Sequence, residues 1–171
     1  MSARAPEGLR ARAGWPMPVT MLLLAGWLGA AIYFSAVVTR AAFAVLPSRT
    51  MAGVLVGQTL PVLFDAGMLT GACLIALGLQ RSGGAVRTAS VGGGAVIAAL
   101  SGLARIVILA RIARLRVSMP AAIDSLPATD PARRAFGQLH ALSVGALGLA
   151  MLTGLVVAVV LAHSLSVATH D

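Results

Sequence analysis

A run of roughly 27 residues from Phe136 to Ala162 contains no Asp, Glu, Lys or Arg, and about 20 apolar residues suffice for a helix to cross a lipid bilayer. Three further apolar stretches precede it along the chain. Since a helix satisfies its own backbone hydrogen bonds inside lipid, such stretches are typical of membrane-spanning helices. The sequence therefore predicts an all-α polytopic membrane protein, built as an antiparallel bundle of four transmembrane helices.

The composition supports a membrane protein independently of any single stretch. Of the 171 residues, 58% are hydrophobic and 11% are charged, whereas about 25% of residues are charged in an ordinary soluble domain. The formal net charge of +8 comes from Arg, because the chain contains no Lys. Nearly all of these Arg residues lie between or beside the apolar stretches. We therefore expect a lipid bilayer as the partner, and no nucleic acid.

One transmembrane domain is predicted over residues 17–163, between a soluble basic tail at residues 1–16 and a short C-terminal tail at residues 164–171. The expected helices cover Met17–Val38, Met51–Leu79, Ala89–Leu115 and Pro131–His163. The first apolar run follows several Arg residues, as in a secretory signal, but it is too long for a signal core. We interpret it as a retained helix.

Local signals refine these helices. Pro61 cannot donate a backbone hydrogen bond and is expected to bend or loosen the second helix. Asp130 can cap exposed amide groups at the start of the fourth helix, and Pro131 suits the first helical position. The segment before this cap, Val117–Thr129, is expected to form an interfacial loop with one short helix.

Small residues recur at intervals of four in three of the predicted helices. Helices pack in lipid through close backbone approach, so these ridges favour a compact bundle and are equally compatible with dimerisation through a ridge left exposed. The ridges are Ala146, Ala150, Gly154, Ala158 and Ala162 in the fourth helix, Gly94, Ala98 and Gly102 in the third, and Gly53, Gly57, Gly67 and Gly71 in the second.

The distribution of Arg favours external termini, because positive side chains are enriched on the cytoplasmic side of a membrane. The side that holds the termini has Arg4, Arg10, Arg12, Arg81 and Arg87. The opposite side has more: Arg40, Arg49, Arg111, Arg114, Arg116, Arg133 and Arg134. The three Arg before the first helix argue for the reverse orientation.

Four of the polar residues within the predicted spans are candidates for a site: Asp65, Arg105, His140 and Ser143. A central Asp costs about 2.5 to 3.5 kcal/mol on the insertion scale, so such a carboxylate normally faces other helices or a watery cavity. We hypothesise that Asp65, Arg105 and His140, with Ser143 on the same helical face as His140, form an internal polar cluster that serves as a proton or cation site. The structural alternatives are a protonated or paired Asp65, an Arg105 that snorkels to the headgroups and a His140 that bonds a neighbouring helix.

Catalytic and metal signatures are weak. No catalytic triad, phosphate-binding loop or carboxylate pair is found, so no enzyme, cofactor or metal site is predicted. Internal haem is not expected, because ligation by two His needs paired inward His and the first three helices contain none. Met68 and Cys73 are soft ligands near Asp65, but their spacing matches no copper motif. Cys73 is the sole cysteine, which excludes an intramolecular disulfide.

Two stretches carry a resemblance: FAVLPSRTMAGVLVGQTLPVLF from Phe43 to Phe64 and DPARRAFGQLHALS from Asp130 to Ser143. Both resemble the family of transmembrane protein 205, a group of small four-span proteins that includes a bacterial domain of unknown function. The family motif falls on Phe43, Leu46, Pro47, Pro61, Phe136, His140 and Ser143. The chain departs from it at Ala141, where Gly is usual, at Leu147, where Asn is expected, and after Pro47, where Tyr is frequent.

The resemblance implies a four-span fold without an established activity. We expect an integral protein of the bacterial cytoplasmic (inner) membrane. Its leading function is handling of a small solute or ion, or support of envelope homeostasis, through the polar cluster. A structural protein that pairs with a second copy or another membrane protein through the Gly/Ala ridges is the first alternative. A copper- or redox-linked membrane protein is the second.

Overall fold

Four long helices make up this computed structural model, which describes residues 16–118 and 125–168. They are α1 (Met17–Val45), α2 (Arg49–Leu79), α3 (Gly84–Ser118) and α4 (Pro131–Ala168). Each is long and apolar enough to cross a membrane, and no strand occurs in the described ranges. The predicted all-α four-helix membrane bundle is therefore confirmed. Residues 1–15 of the predicted basic tail and residues 119–124 of the predicted interfacial loop lie outside the described residues.

Neighbouring helices run antiparallel. The largest interface joins α2 to α3, the next joins α3 to α4, and α1 packs against both α2 and α4. At one end of the bundle, Arg81 donates from Nη1 to Sδ of Met17 over 3.3 Å, which joins the end of α2 to the start of α1. At the other end, Arg116 donates from Nη2 to the carbonyl oxygen of Gly53 over 3.3 Å. Sequential up-and-down packing with short connections thus closes the bundle.

The observed helices extend beyond the predicted ones because apolar composition marks the lipid-embedded part and helices continue into the polar flanks. Helix α1 continues to Val45. The next residue, Leu46, has an extended backbone (ψ 144°), which suits the residue before Pro47. Helix α2 begins at Arg49, because the Ser48 hydroxyl accepts from the amide of Met51 over 3.2 Å.

The turn between α2 and α3 is shorter than the predicted Gln80–Thr88. Gly83 and Gly84 adopt positive φ angles of 134° and 83°, which residues with a Cβ rarely adopt, and α3 begins at Gly84 rather than Ala89. Helix α4 likewise continues past the predicted end at His163 to Ala168. These glycines set where the chain reverses direction.

The start of α4 is capped as the sequence predicted. Oδ1 of Asp130 accepts hydrogen bonds from the amides of Ala132 over 2.7 Å and Arg133 over 3.4 Å. These bonds satisfy two of the amides that have no partner in the first turn of a helix. The Asp130 cap is thereby confirmed.

Within the four described helices, two segments depart from α-helical geometry, and neither is at Pro61. Helix α2 runs uninterrupted through Pro61. Instead, α1 contains a π-helical segment at Phe34–Val38 and α3 contains one at Leu103–Ile108. In α1, the Thr39 hydroxyl donates to the carbonyl oxygen of Phe34 over 3.0 Å. Such π segments are rare and are frequent at functional sites.

The interior is held by apolar side chains and close glycine contacts. Phe64, Leu24, Leu74, Ile97 and Leu161 are completely buried. A methyl group on Gly71 would lie 2.5 Å from the carbonyl oxygen of Gly94, so α2 and α3 touch backbone to backbone there. Many other large apolar side chains face outward, which suits a surface covered by lipid.

A candidate polar site on helices α2 and α3

An ion pair joins α2 to α3. Nε of Arg105 donates to Oδ1 of Asp65 over 2.9 Å, although the two residues are 40 positions apart in the chain. At 1.5 Å per residue, Asp65 lies about 24 Å from Arg49 and about 21 Å from Leu79 along α2. Both distances exceed half of a hydrocarbon core of about 30 Å. The pair therefore lies within the apolar part of the bundle, close to the midpoint of α2.

The pair faces outward from the bundle. The exposed fraction is 53% for the Asp65 side chain and 41% for that of Arg105. The preceding residue, Phe64, is completely buried, and one step along an α-helix turns the next side chain by about 100°. That turn directs Asp65 away from the core. The sequence hypothesis placed this carboxylate inside the bundle, because spacing along a chain does not reveal which way a helix is rotated.

Most of the hydrogen-bonding capacity of the pair is unused. One bond joins the two side chains, and neither makes another with any residue of the described ranges. Oδ2 of Asp65 and both terminal NH2 groups of Arg105 thus have no protein partner there. A carboxylate can accept several hydrogen bonds and a guanidinium can donate five. The pair can therefore accept a proton or a cation at Asp65 and an anion at Arg105.

Arg105 belongs to the π segment of α3. The segment Leu103–Ile108 begins directly after Gly102, and Ala104 next to Arg105 is completely buried. A π turn contains an extra residue, so the side chains after it are rotated relative to a regular α-helix. The ion pair and the irregular backbone of α3 thus coincide.

His140 and Ser143 lie elsewhere. The His140 ring is parallel to that of Phe136, with an interplanar angle of 2° and ring centroids 6.2 Å apart. The Ser143 hydroxyl is buried and donates to the carbonyl oxygen of His140 over 2.8 Å. Neither side chain makes a hydrogen bond or ion pair with Asp65 or Arg105 in the described ranges. The structure thus brings together two of the four residues of the hypothesised cluster.

A second polar group includes Arg116, which the sequence places among the charges that flank the third helix. Its Cζ lies 5.3 Å from the ring centroid of Phe136, which is cation–π distance. The guanidinium rests on the glycines of α2, since a methyl on Gly57 would lie 3.1 Å from Nη1. An Arg, Phe and His stack therefore joins α2, α3 and α4 at one end of the bundle. The spacing of Gly53 and Gly57 was the sequence signal for the place where the Arg116 guanidinium packs on α2.

The positions carried over from the resembling family fall into separate places. Phe136, His140 and Ser143 lie close together on the first turns of α4. Phe43 is about half exposed near the end of α1, and Pro61 lies within α2. The remaining two, Leu46 and Pro47, lie in the connection between α1 and α2.

Metal ligands do not cluster in the ranges the structure describes. No group of three His, Cys, Asp or Glu side chains there could hold a metal ion. Cys73 is a partly buried free thiol on α2, and Met68 lies 3.9 Å from where a methyl on Gly102 would be. In the described ranges, the sulfur atoms of Cys73 and Met68 are therefore not part of a cluster of His, Cys, Asp or Glu side chains that could hold a metal ion.

A family model for a domain of unknown function, DUF4149, matches residues 22–121. The chain belongs to this family. The match covers nearly all of α1 and the whole of α2 and α3, with Asp65 and Arg105, and ends before α4. No curated protein and no solved structure matches the chain. The DUF4149 match does not connect the chain with transmembrane protein 205, and it assigns no activity. The chain is thus an integral membrane protein of an uncharacterised family.

Proposed function

We propose that this DUF4149 protein handles a small ion or polar solute inside the membrane, at the Asp65–Arg105 pair. The observation that carries the proposal is the pair itself. It combines opposite charges within apolar helices with exposed fractions of 53% and 41% and with unused hydrogen-bonding groups. A ligand from outside the bundle can therefore reach both charges.

The cost of keeping two charges in this position favours a functional role. Each charged side chain at the centre of a span costs about 2.5 to 3.5 kcal/mol on the insertion scale. A single hydrogen bond between them offsets part of that cost, whereas two apolar side chains would avoid it. Charged residues retained inside a membrane commonly lie on ion or substrate pathways.

The chemistry of the pair suggests how a ligand would act. A proton or cation at Asp65 would remove or screen its negative charge and weaken its bond to Arg105. An anion at Arg105 would compete with the carboxylate for the guanidinium. Either event would loosen α2 from α3 at the π segment, since the pair joins them at this point. The strength of the Asp65–Arg105 bond between α2 and α3 would then depend on whether a ligand is bound.

The cellular setting is part of the same proposal. The end of the bundle with the α1–α2 connection and the start of α4 carries the larger set of Arg, which supports external termini by the positive-inside rule. We further propose a location in the bacterial cytoplasmic membrane, a role in envelope homeostasis and kinship with the transmembrane protein 205 group. The stretches Phe43–Phe64 and Asp130–Ser143 support that kinship.

The ridge-pairing alternative has less support. Four of its glycines, Gly67, Gly71, Gly94 and Gly154, contact other helices of the same chain. They are therefore occupied within the bundle. A contact with another membrane protein would need a different surface.

Flux measurements test the proposal directly. Purified protein in liposomes with a pH- or cation-sensitive dye inside is expected to speed equilibration, and Asp65→Asn is expected to return the rate to that of empty vesicles. Asp130→Asn is a matched control, because it removes a carboxylate at the helix cap while keeping an acceptor oxygen. Equal flux through the wild type and Asp65→Asn would contradict a role for this carboxylate.

A double-mutant cycle tests the contact that the proposal requires. Asp65→Asn, Arg105→Gln and the double variant are compared for unfolding free energy. Because the side chains touch, the single effects are expected to differ from additivity by about 0.5 to 3 kcal/mol. Strict additivity would show that the two groups do not interact.

A further inference from the structure

The outward face around the ion pair combines charge with lipid-compatible side chains. Val62 and Leu69 lie three positions before and four after Asp65 on α2, and each is 66% exposed. Ile106 is also 66% exposed, beside Arg105 on α3. Lipid tails offer no hydrogen-bonding groups, so the unbonded carboxylate oxygen and guanidinium nitrogens would be unsatisfied against them. This face therefore needs a polar partner where it meets lipid tails.

We propose that the partner is a second copy of the chain, which packs its own α2/α3 face against this one. Two copies inserted with the same topology can be related by a two-fold axis along the membrane normal. Such an axis keeps every residue at its own depth, so the two ion pairs meet at one level. The contact is then formed by the same patch on both copies.

Charge complementarity follows from the symmetry. When two identical faces meet about such an axis, α2 of one copy lies opposite α3 of the other. Asp65 of each copy then faces Arg105 of the second copy, and four charges alternate in sign around a ring. Oδ2 of Asp65 and the terminal NH2 groups of Arg105, which have no partner among the described residues, become available to the opposite copy. The face that carries the Asp65–Arg105 ion pair is thus self-complementary.

Lipid headgroups are a poorer partner at this depth. Arg105 lies about 9 Å along α3 from Arg111, where the polar flank begins, so its guanidinium would have to leave Asp65 to reach a headgroup. Its Nε is also held by Asp65 in the middle of the face. The inference does not rest on solute handling, because the exposed charges need cover whether or not the protein transports anything. A ligand of the proposed function would have to bind between the two copies, in competition with the contacts across the interface.

Two matched variants test which face is used. Leu69→Trp adds bulk beside Asp65, whereas Leu152→Trp makes the same change on α4, where Leu152 is 61% exposed. The oligomeric state is measured by single-molecule photobleaching of labelled protein in large liposomes at several protein-to-lipid ratios. We expect wild type and Leu152→Trp to dimerise alike, and Leu69→Trp to need about tenfold more protein per lipid. A monomeric wild type, or equal dimerisation of both variants, would overturn the proposal.

A charge-reversal experiment tests the predicted contact between copies. A chain with Asp65→Arg carries two positive charges on this face, and a chain with Arg105→Asp carries two negative ones. Each variant loses its internal pair and should repel its own copies, whereas the two variants together restore every contact across the interface. Differently tagged versions expressed together are expected to co-purify from membranes as a mixed dimer. If the mixed pair associates no better than each variant with itself, the proposed contact is wrong. Should either variant fail to insert, the Leu69 and Leu152 comparison still decides.

Discussion

Gly94 lies where the backbones of α2 and α3 meet. A methyl group on its Cα would be 2.7 Å from the carbonyl oxygen of Gly71 and 3.0 Å from Cβ of Leu74. The first of these neighbours is backbone, which cannot move aside without shifting a helix. Gly94→Ala is therefore expected to push α3 away from α2.

The magnitude follows from a comparison with a second glycine on the same helix. Gly92 has no other heavy atom within 4 Å of its would-be methyl, apart from its chain neighbours and its own helix backbone. Replacing either glycine by Ala gains up to about 1 kcal/mol of helix propensity, and this gain cancels in the comparison. Overpacking at Gly94 costs about 1 to 3 kcal/mol. Gly94→Ala should thus be less stable than Gly92→Ala by about 1 to 3 kcal/mol.

The assay is reversible unfolding in mixed micelles as the fraction of a denaturing detergent rises, followed by circular dichroism. Both variants and the wild type are measured under identical conditions. Gly92→Ala is expected to unfold at or slightly above the wild-type midpoint, and Gly94→Ala below it. Equal or greater stability of Gly94→Ala would refute the close approach of α2 and α3 at this glycine.

Three further contacts are probed by substitution in the same unfolding assay. Trp27→Phe removes the 3.3 Å hydrogen bond from Nε1 to the carbonyl oxygen of Leu63, and should cost about 0.5 to 1.5 kcal/mol; an unchanged midpoint would argue against that bond. Asp130→Ala removes the α4 cap at a cost of about 0.5 to 2 kcal/mol, while Asp130→Asn should keep most of it; equal loss in both would contradict capping by the side-chain oxygen. Phe136→Leu removes the aromatic ring that contacts the Arg116 guanidinium. Beyond the loss of packing, the free energy of unfolding should fall by about 0.5 to 1 kcal/mol. This additional loss should be absent when Phe136→Leu is made in a chain that carries Arg116→Gln.

Parts of the candidate site could be predicted from the sequence. Asp65 and Arg105 stood out because charged residues are rare inside apolar segments, and their depths followed from the rise of a helix. Their contact could only be hypothesised, because the residues are 40 positions apart. His140 was assigned to the same group on depth alone. In the structure it stacks on Phe136, which lies four residues earlier on the same helix, and it makes no hydrogen bond with Asp65 or Arg105 in the described ranges.

The π segments and the packing of Arg116 against α2 were not predicted. One extra residue shifts the phase of the helical periodicity, but Leu103–Ile108 is apolar apart from Arg105, so the shift left no local signal in the sequence. The packing of Arg116 depends on Gly53 and Gly57, which lie on another helix. Neither feature is a property of its own segment.

Four crossings of the bilayer were decided by the sequence itself, because the free energy of transferring a helix into lipid sums over the residues of that helix. The cap at Asp130 is equally local, since the carboxylate bonds amides two and three residues away. The outward direction of the Asp65–Arg105 pair was decided by the tertiary structure. The rotation of each helix depends on which neighbours can approach it, and here the contact of Gly71 with Gly94 sets the faces of α2 and α3.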